Sequence, residues 1–388
     1  LTSNNKLHIL HIIPTLKKGG AERLVIDIVR SLLSYDEIRV QLVLFEPNIE
    51  YDVSDLTDTI VIIPSSVQLS ILKKNRLHIK ELQQYIDKFQ PDIVHTHLFE
   101  AEMVSRSCSY PSAKWFTHAH DRMASFQGLE IVDLIKKRSL TNYAEKRYLL
   151  NRYQHNGGNH FIAISQHIQQ FLIDVLPNAL RNVILLPNAI DVNRFRKPEL
   201  PVKTERQKQC ELATVGRLDQ NKNHSFLIDV VRLLKNQGIP VHLNIIGDGV
   251  ERQQLEENVE RKKLSNEVTF LGAQERVEEC LWPATIYVHS ALSEGFGLTL
   301  IEAMASGLPV VSLDGGGNRE LIVKGKNGFL IKDRDPIKFA ERIAYLWTNQ
   351  EIRLEMGFFA VEFSQQFAIQ TYCKILVEHY KDVLACAE

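Results

Sequence analysis

The sequence predicts an α/β protein of two doubly wound parallel-sheet domains, and three observations lead there. Short apolar, β-branched runs alternate with helix-period segments almost from end to end. Most of these runs are continuously apolar, as strands buried on both faces of a parallel sheet must be. The alternation breaks at one proline-rich polar stretch and then restarts, and 388 residues suit two domains of roughly 100–200 residues each.

In the first half, Leu7–Ile13, Val40–Phe45, Ile60–Ile63, Ile93–Thr96, Trp115–Thr117, Phe161–Ile164 and Val183–Leu186 read as strands. Ala21–Leu33 and Leu77–Lys88 carry helical spacing, the second through Ile79, Leu82, Tyr85 and Ile86. The stretch from Pro187, with further prolines at 198 and 201, reads as an interdomain linker. Beyond it, Leu212–Val215, Val241–Ile246, Val268–Leu271, Ile286–Val288, Val310–Ser312 and Phe329–Ile331 form a second strand set. Helices fit at 224–236, 250–263, 298–306 and 335–348, and a terminal helix at 363–384. The predicted domains are therefore 1–195 and 196–366.

Composition removes several function classes. Lys plus Arg is 46 and Asp plus Glu is 47, so the basic excess of a general nucleic-acid binder is missing. With 44% apolar residues, the chain has the aliphatic content that a disordered chain lacks. The five cysteines, at 108, 210, 280, 373 and 386, are odd in number and contain no C-x-x-C pair. That favours a reducing compartment over a disulfide framework or a structural zinc site. No apolar run approaches the roughly 20 residues that span a bilayer. The first apolar run is too short and too late for a secretory signal. The expected location is the cytoplasm, with a peripheral position on the inner face of the membrane as an option.

Ligands of open α/β sheets bind beyond the carboxyl ends of the strands, so the residues there carry the argument. GDGVER (247–252) and GFGLTL (295–300) begin G-x-G, but Arg252 and Leu300 replace the third glycine, and no P-loop motif is present. The dinucleotide and P-loop readings therefore fail. After Ile286–Val288 comes HSALSEGFGLTLIEAMASGLPVV. Glu294 precedes Gly295, Phe296 and Gly297, a helix begins near Leu298, and Glu302 lies eight residues after Glu294. Glycines allow close backbone approach, and the free N–H groups of a first helical turn seat a diphosphate. A carboxylate on either side can accept hydrogen bonds from hydroxyls, and a molecule with hydroxyls flanking a diphosphate is a sugar nucleotide. The competing reading, a tight turn beside two solvated glutamates, does not account for the strand, glycines and helix start together.

Gly216, Arg217 and Leu218 follow the first strand of the second domain, and Lys222 comes just before the helix at His224. Two cations there can neutralise a leaving diphosphate as a divalent metal does elsewhere; each charge-assisted hydrogen bond adds about 1.5–3 kcal/mol. Read alone, they are two surface cations in a polar loop. Gly19 and Gly20 precede the first helix and suit approach to phosphate or sugar. His95 and His97, and His118 and His120, end two first-domain strands. Such spacing can hold a metal. With no third ligand set in view, packing or hydrogen bonding to a sugar hydroxyl is the preferred reading, and no metal is assigned. Asp333-Arg334-Asp335 has the D-x-D pattern of metal-dependent sugar transferases, but Pro336 follows it and it reads as a helix cap.

These residues resemble glycosyltransferase family 4, retaining sugar-nucleotide transferases of the GT-B fold. The resemblance runs through KKGGAE (17–22), DIVHTH (92–97), FTHAHD (116–121), FIAIS (161–165), LLPNAIDVNRF (185–195), VGRLDQNKN (215–223), IIGDG (245–249), FLG (270–272) and EGFGLTLIEAMASGLPVV (294–311). It implies two Rossmann-like domains facing a central cleft, the first completed by the C-terminal helix at about 367–388. It implies that Glu294 holds the donor sugar's hydroxyls and Glu302 the ribose. Phe296, Gly297, Leu298 and Thr299 would present backbone to sugar and diphosphate, with Arg217 and Lys222 neutralising the diphosphate. Gly19, Gly20, Gly216 and Gly247 would complete the donor site, and Leu271, Gly272 and Ala273 would frame the base. His120 best matches the family's histidine at the reacting sugar, with His118 as the alternative; His97 and His118 are acceptor-side candidates.

The implied reaction is retaining, metal-independent and without a cofactor. It moves a hexose or N-acetylhexosamine from a UDP-sugar, favoured over a GDP-sugar, to a glycan or lipid-linked acceptor. The alternatives are an inactive relative serving as a partner subunit and a sugar-nucleotide epimerase. Segment 134–156 holds six Lys/Arg against Glu145 alone. It reads either as an ordinary solvated helix or as a basic amphipathic helix on an anionic membrane.

Overall fold

The structure, a computed structural model, describes residues 6–69, 74–123, 126, 137–155, 158–177, 182–198 and 208–385. The chain divides into two compact units, Leu1–Asn188 with Ile369–Glu388, and Ala189–Ala368. The sequence reading puts these divisions at 195/196 and 366/367.

The first unit contains β1 (Leu7–Ile13), α1 (Gly20–Leu32), β2 (Ile38–Leu44), β3 (Ile60–Ile62), β4 (Ser66–Gln68), β5 (Arg76–His78), α2 (Lys80–Phe89) and β6 (Ile93–His97). It continues through α3 (Phe99–Ser105), β7 (Lys114–Ala119), α4 (Lys137–His155), β8 (Asn159–Ala163), α5 (Gln166–Val175) and β9 (Val183–Leu185). Among the described residues its main sheet has the order β3-β2-β1-β6-β7-β8-β9, and every pairing is parallel. Alternate side chains point to opposite faces. Leu10, Ile12, Val94 and Trp115 therefore enter one apolar core. His11, His95, His97 and His118 share the other face, with His11 opposite His95 and His97 opposite His118 in register.

The second unit begins with α6 (Val192–Phe195) and runs through β10 (Cys210–Val215), α7 (His224–Asn236), β11 (Val241–Ile246), α8 (Arg252–Arg261), β12 (Val268–Gly272) and α9 (Val277–Leu281). Then come β13 (Ile286–His289), α10 (Leu298–Ala305), β14 (Val310–Leu313), β15 (Gly328–Ile331), α11 (Pro336–Thr348) and α12 (Gln350–Ser364). Its strands pair in parallel in the order β12-β11-β10-β13-β14-β15. Leu212, Ile228, Leu243, Ile286 and Phe339 are fully or almost fully buried in its core. The chain then returns to the first unit as α13 (Ile369–Ala385).

Three expectations change. Leu77 is not helical: it pairs with Val67 in the β4–β5 hairpin, and α2 starts at Lys80. The predicted helix 363–384 is two helices, α12 and α13, separated by a 3-10 turn at Gln365–Phe367. Phe367 packs edge-on against Phe296, and its carbonyl accepts from the Ile190 N–H at 2.9 Å, which anchors the break to the second unit. The predicted linker holds α6, capped by Asp191 and fastened by the Arg194–Glu278 ion pair at 2.8 Å; its residues 199–207 lie outside the described residues. The basic segment forms α4, and Leu149 and Tyr153, one turn apart, are buried, with the Arg106 guanidinium over the Tyr153 ring. Residues 134–136 of that segment lie outside the described residues. Asp335 caps α11, accepting from the Ile337 N–H at 2.8 Å. Among the described residues no helix is long and apolar enough to cross a membrane.

Candidate active site

In the second unit the strand order reverses between β10 and β13, the crevice where open sheets bind ligands. The loops after these two strands carry Arg217 and Lys222 on one side and Glu294 to Gly297 on the other. Asn221 fastens them together: its Nδ2 donates to the Ser293 carbonyl at 2.9 Å, and its Oδ1 accepts from the Ser293 N–H at 3.0 Å. Ser290 Oγ adds a bond to the Lys222 carbonyl at 2.8 Å.

Glu294 is held through one oxygen. Lys222 Nζ lies 2.7 Å from Glu294 Oε2 and His289 Nε2 lies 3.2 Å from the same atom. Glu294 Oε1 has no hydrogen-bond partner among the described residues. Burial alone would raise the pKa of Glu294, but the bond from His289 and the charge of Lys222 outweigh it and hold the carboxyl at about 2. The buried His289 ring is shifted below its ordinary value by burial, against the pull of Glu294. The site thus favours the ionised form of this carboxylate, with one oxygen not engaged by Lys222 or His289.

The backbone of Glu294 is also clamped. Its N–H donates to the Gly315 carbonyl at 2.8 Å, and its carbonyl accepts from the Gly317 N–H at 2.9 Å. A Cβ at Gly317 would lie 2.1 Å from the Gly295 carbonyl oxygen, so this approach requires glycine. Asn318 folds the loop by accepting from the Gly315 N–H at 2.9 Å. Sequence reasoning missed both His289 and this loop. The available signal was Gly315-Gly316-Gly317 directly after a strand, at the same sheet edge as the chosen motif.

Gly297 has φ of 108° and precedes α10, so the first turn presents the N–H groups of Leu298 and Thr299 without a side-chain cap. Phe296 is buried in the core, which leaves its backbone as the part near a ligand. Glu302 lies half-buried further along α10, and Arg217 is largely exposed, with Asp219 at 3.5 Å. The stem of Lys222 runs over Gly216 at 3.4 Å from where a Cβ would be. Gly247 packs on Gly216: a Cβ there would lie 2.0 Å from the Gly216 oxygen. Its N–H donates to the Gly272 carbonyl at 2.8 Å, bringing Leu271, Gly272 and Ala273 to the same end of the sheet.

The first unit brings a second group of residues together. The N–H of Gly19 donates to the Tyr51 hydroxyl at 3.0 Å, and that hydroxyl donates back to the Gly19 carbonyl at 2.9 Å. Gly20 opens α1 and is exposed. Within β1, β6 and β7, and directly after β7, lie five imidazoles. His11 Nδ1 is 2.9 Å from His97 Nε2, and His97 Nδ1 is 3.1 Å from His120 Nε2. His95 meets the Tyr380 hydroxyl, and His118 stacks on His120 at 4.2 Å between ring centroids. His11, His95, His97 and His118 are at most 1% exposed, whereas His120 is half-buried. Burial lowers the pKa of His11 and of His120 to about 3 and of the other three well below the usual imidazole range.

Residues 196–361 match the family described as Glycosyl transferases group 1, and residues 18–194 that described as Glycosyltransferase Family 4. EpsD and EpsF of Bacillus subtilis (strain 168), both named as glycosyltransferases, are 31% and 26% identical to this chain. The EpsD match covers 43% of this chain and 46% of EpsD, and the EpsF match 80% of each. The chain thus spans about half the length of EpsD. Among solved structures, HepE of Anabaena in complex with UDP covers 97% of this chain and 100% of its own, with a TM-score of 0.77 and 22% identity. The same protein is known in complex with UDP-glucose.

Proposed function

The chain belongs to the group 1, family 4 glycosyltransferases, with the GT-B fold, and on that footing we propose that it transfers a hexose or N-acetylhexosamine from a UDP-sugar to a glycan or lipid-linked acceptor, with retention and without a divalent metal. The observation that carries the reading is Glu294, pinned through Oε2 by Lys222 and His289 beside the glycine-led start of α10. Its Oε1 accepts from hydroxyls of the donor sugar. The α10 amides, Arg217 and Lys222 take up the diphosphate charge. Glu302 is assigned the ribose, and the backbone at Leu271–Ala273 the base. UDP is favoured because the similarly folded HepE is known with UDP and UDP-glucose.

In this reaction the bond between C1 of the sugar and its phosphate oxygen breaks. The acceptor oxygen bonds to C1 on the same face, and its proton passes to an oxygen of the departing diphosphate. The first unit is assigned the acceptor, and His120 the reacting sugar. Intact Glu294, Glu302, Arg217 and Lys222 favour transfer over an inert partner role. Contact with an anionic membrane, placing the protein at its inner face, is proposed for the surface of α4 that Leu149 and Tyr153 leave outward. Sedimentation with anionic vesicles at low salt tests it, and no bound protein would remove it.

The donor reading is tested by a thermal-shift screen against UDP, GDP, ADP and their sugar conjugates, with and without EDTA. A ligand at a hundred times its Kd stabilises by about 2.7 kcal/mol. A large shift with UDP or a UDP-sugar that survives EDTA supports the reading. No shift with any nucleotide, or one that EDTA abolishes, rejects the metal-free donor site.

A further inference from the structure

The five imidazoles of the first unit do more than fill space. The sheet order places β1 beside β6 and β6 beside β7, which gathers rings from three separate parts of the chain on one face. Two overlapping sets of three have ligand atoms all within 4.8 Å of one another: His11, His95 and His97, and His97, His118 and His120. The inner set is sealed. The outer set includes half-buried His120.

In the outer set, buried ring nitrogens lack partners. Neither nitrogen of His118 is hydrogen-bonded, although Asn188, itself with an unpartnered Oδ1, lies beside it. A buried donor or acceptor left without a partner costs about 1–3 kcal/mol, so the His118 nitrogens beside the His97–His120 pair are the ones a ligand would satisfy. The set also has the support that ligating histidines have elsewhere. His97 turns Nδ1 towards His120 and Nε2 towards His11 Nδ1, so that one nitrogen can ligate while the other is oriented by a neighbouring group.

We propose that His97, His118 and His120 form a binding site for one divalent transition-metal ion of the zinc, copper or nickel class, with His120 as its half-buried member. Three imidazoles and no carboxylate suit these ions and not magnesium or calcium, which take oxygen ligands. The 3.1 Å separation of His97 Nδ1 and His120 Nε2 is close to the spacing that two zinc-bound nitrogens take at about 2.0–2.1 Å from the metal. His118 completes the set by a small ring movement, and water fills the remaining position. The site uses none of the second unit's diphosphate-seat residues, but it shares His120 with the proposed contact to the reacting sugar, so a bound ion and that contact exclude one another. It does not rest on sugar transfer, so an inactive protein that binds zinc keeps this inference and loses the other.

The test uses the full chain stripped with a chelator and dialysed. Zn2+ is titrated by calorimetry, and Co2+ is added as an absorbing substitute whose visible bands report nitrogen ligation. The inference expects one equivalent of Zn2+ and cobalt bands at the same stoichiometry. It also expects an affinity loss of at least about tenfold in both His120→Gln and His118→Gln. The exposed His78→Gln variant should bind as wild type. Circular dichroism identifies a variant that fails to fold; His120→Gln, at the half-buried position, then decides. No binding by the stripped protein, or binding that His120→Gln leaves intact, overturns the proposal.

Discussion

The two groups of functional side chains occupy equivalent places and are built by opposite physics. Each gathers where the strand order reverses, β1 and β6 in one unit, β10 and β13 in the other; the second unit's groups sit mainly on the loops after the strands, whereas four of the five imidazoles sit within β1, β6 and β7. In the second unit the groups are charged, paired and partly open, with glycine backbones packed so that loops can approach a ligand. In the first they are neutral rings stacked inside the fold, and only His120 is half-buried. The same topology therefore supports a seat for a charged, hydroxyl-bearing molecule and a cluster of uncharged nitrogen donors. What separates them is whether opposite charges are supplied beside the titrating groups.

Acid should separate the two most strongly. A buried ring that is neutral in the native state and protonated when unfolded costs about 1.4 kcal/mol per pH unit below its unfolded pKa. His11, lowered from 6.5 to about 3, acts throughout that interval, and His95, His97 and His118 shift in the same direction. Glu294 acts in the same direction but in a lower window: its contribution is complete above about 4.5 and is lost only as pH falls towards 2. Denaturant midpoints should therefore fall steeply between about pH 6.5 and pH 5, and His11→Phe should reduce the slope. A midpoint flat over that range would break the comparison.

Next in size is Glu294→Gln, which removes the anion while keeping the shape. Loss of a charge-assisted bond worth about 1.5–3 kcal/mol should lower sugar transfer roughly 10- to 100-fold and, because the ionised carboxylate also stabilises the fold, lower the thermal midpoint. Lys222→Met should lower kcat by a similar factor, because it weakens both the clamp on Glu294 and the seat for the leaving group. His289→Leu should cost less, about tenfold or under, since Lys222 still holds the carboxylate and only its orientation loosens. Gly297→Ala is read through stability. Forcing φ of 108° on alanine costs roughly 1–3 kcal/mol, read as a lowered midpoint.

Much of this was legible in the sequence. Continuous apolar runs marked the strands of both sheets, and the Glu294–Glu302 block marked the charged seat because its parts are consecutive in the chain. What escaped depends on pairing between distant residues. His11 meets His97 only because β1 lies beside β6, across 86 residues, and no local pattern specifies that order. His289 ends β13, and no local pattern shows that the following loop folds Glu294 back onto it. Leu77 carried helical spacing, yet its pairing with Val67 took precedence. The break before α13 follows from Phe367 docking on Phe296, another long-range contact.

The central claim is that the second unit's carboxylate, held by Lys222 and His289, serves a metal-free donor site. Its most direct test is the turnover of UDP-sugars in EDTA by the wild-type chain and by Glu294→Gln, following release of UDP. The account predicts UDP release by the wild type undiminished by EDTA, and a loss of roughly 10- to 100-fold in the variant. Equal rates in the two proteins, or a wild-type rate that EDTA abolishes and Mg2+ restores, would contradict it.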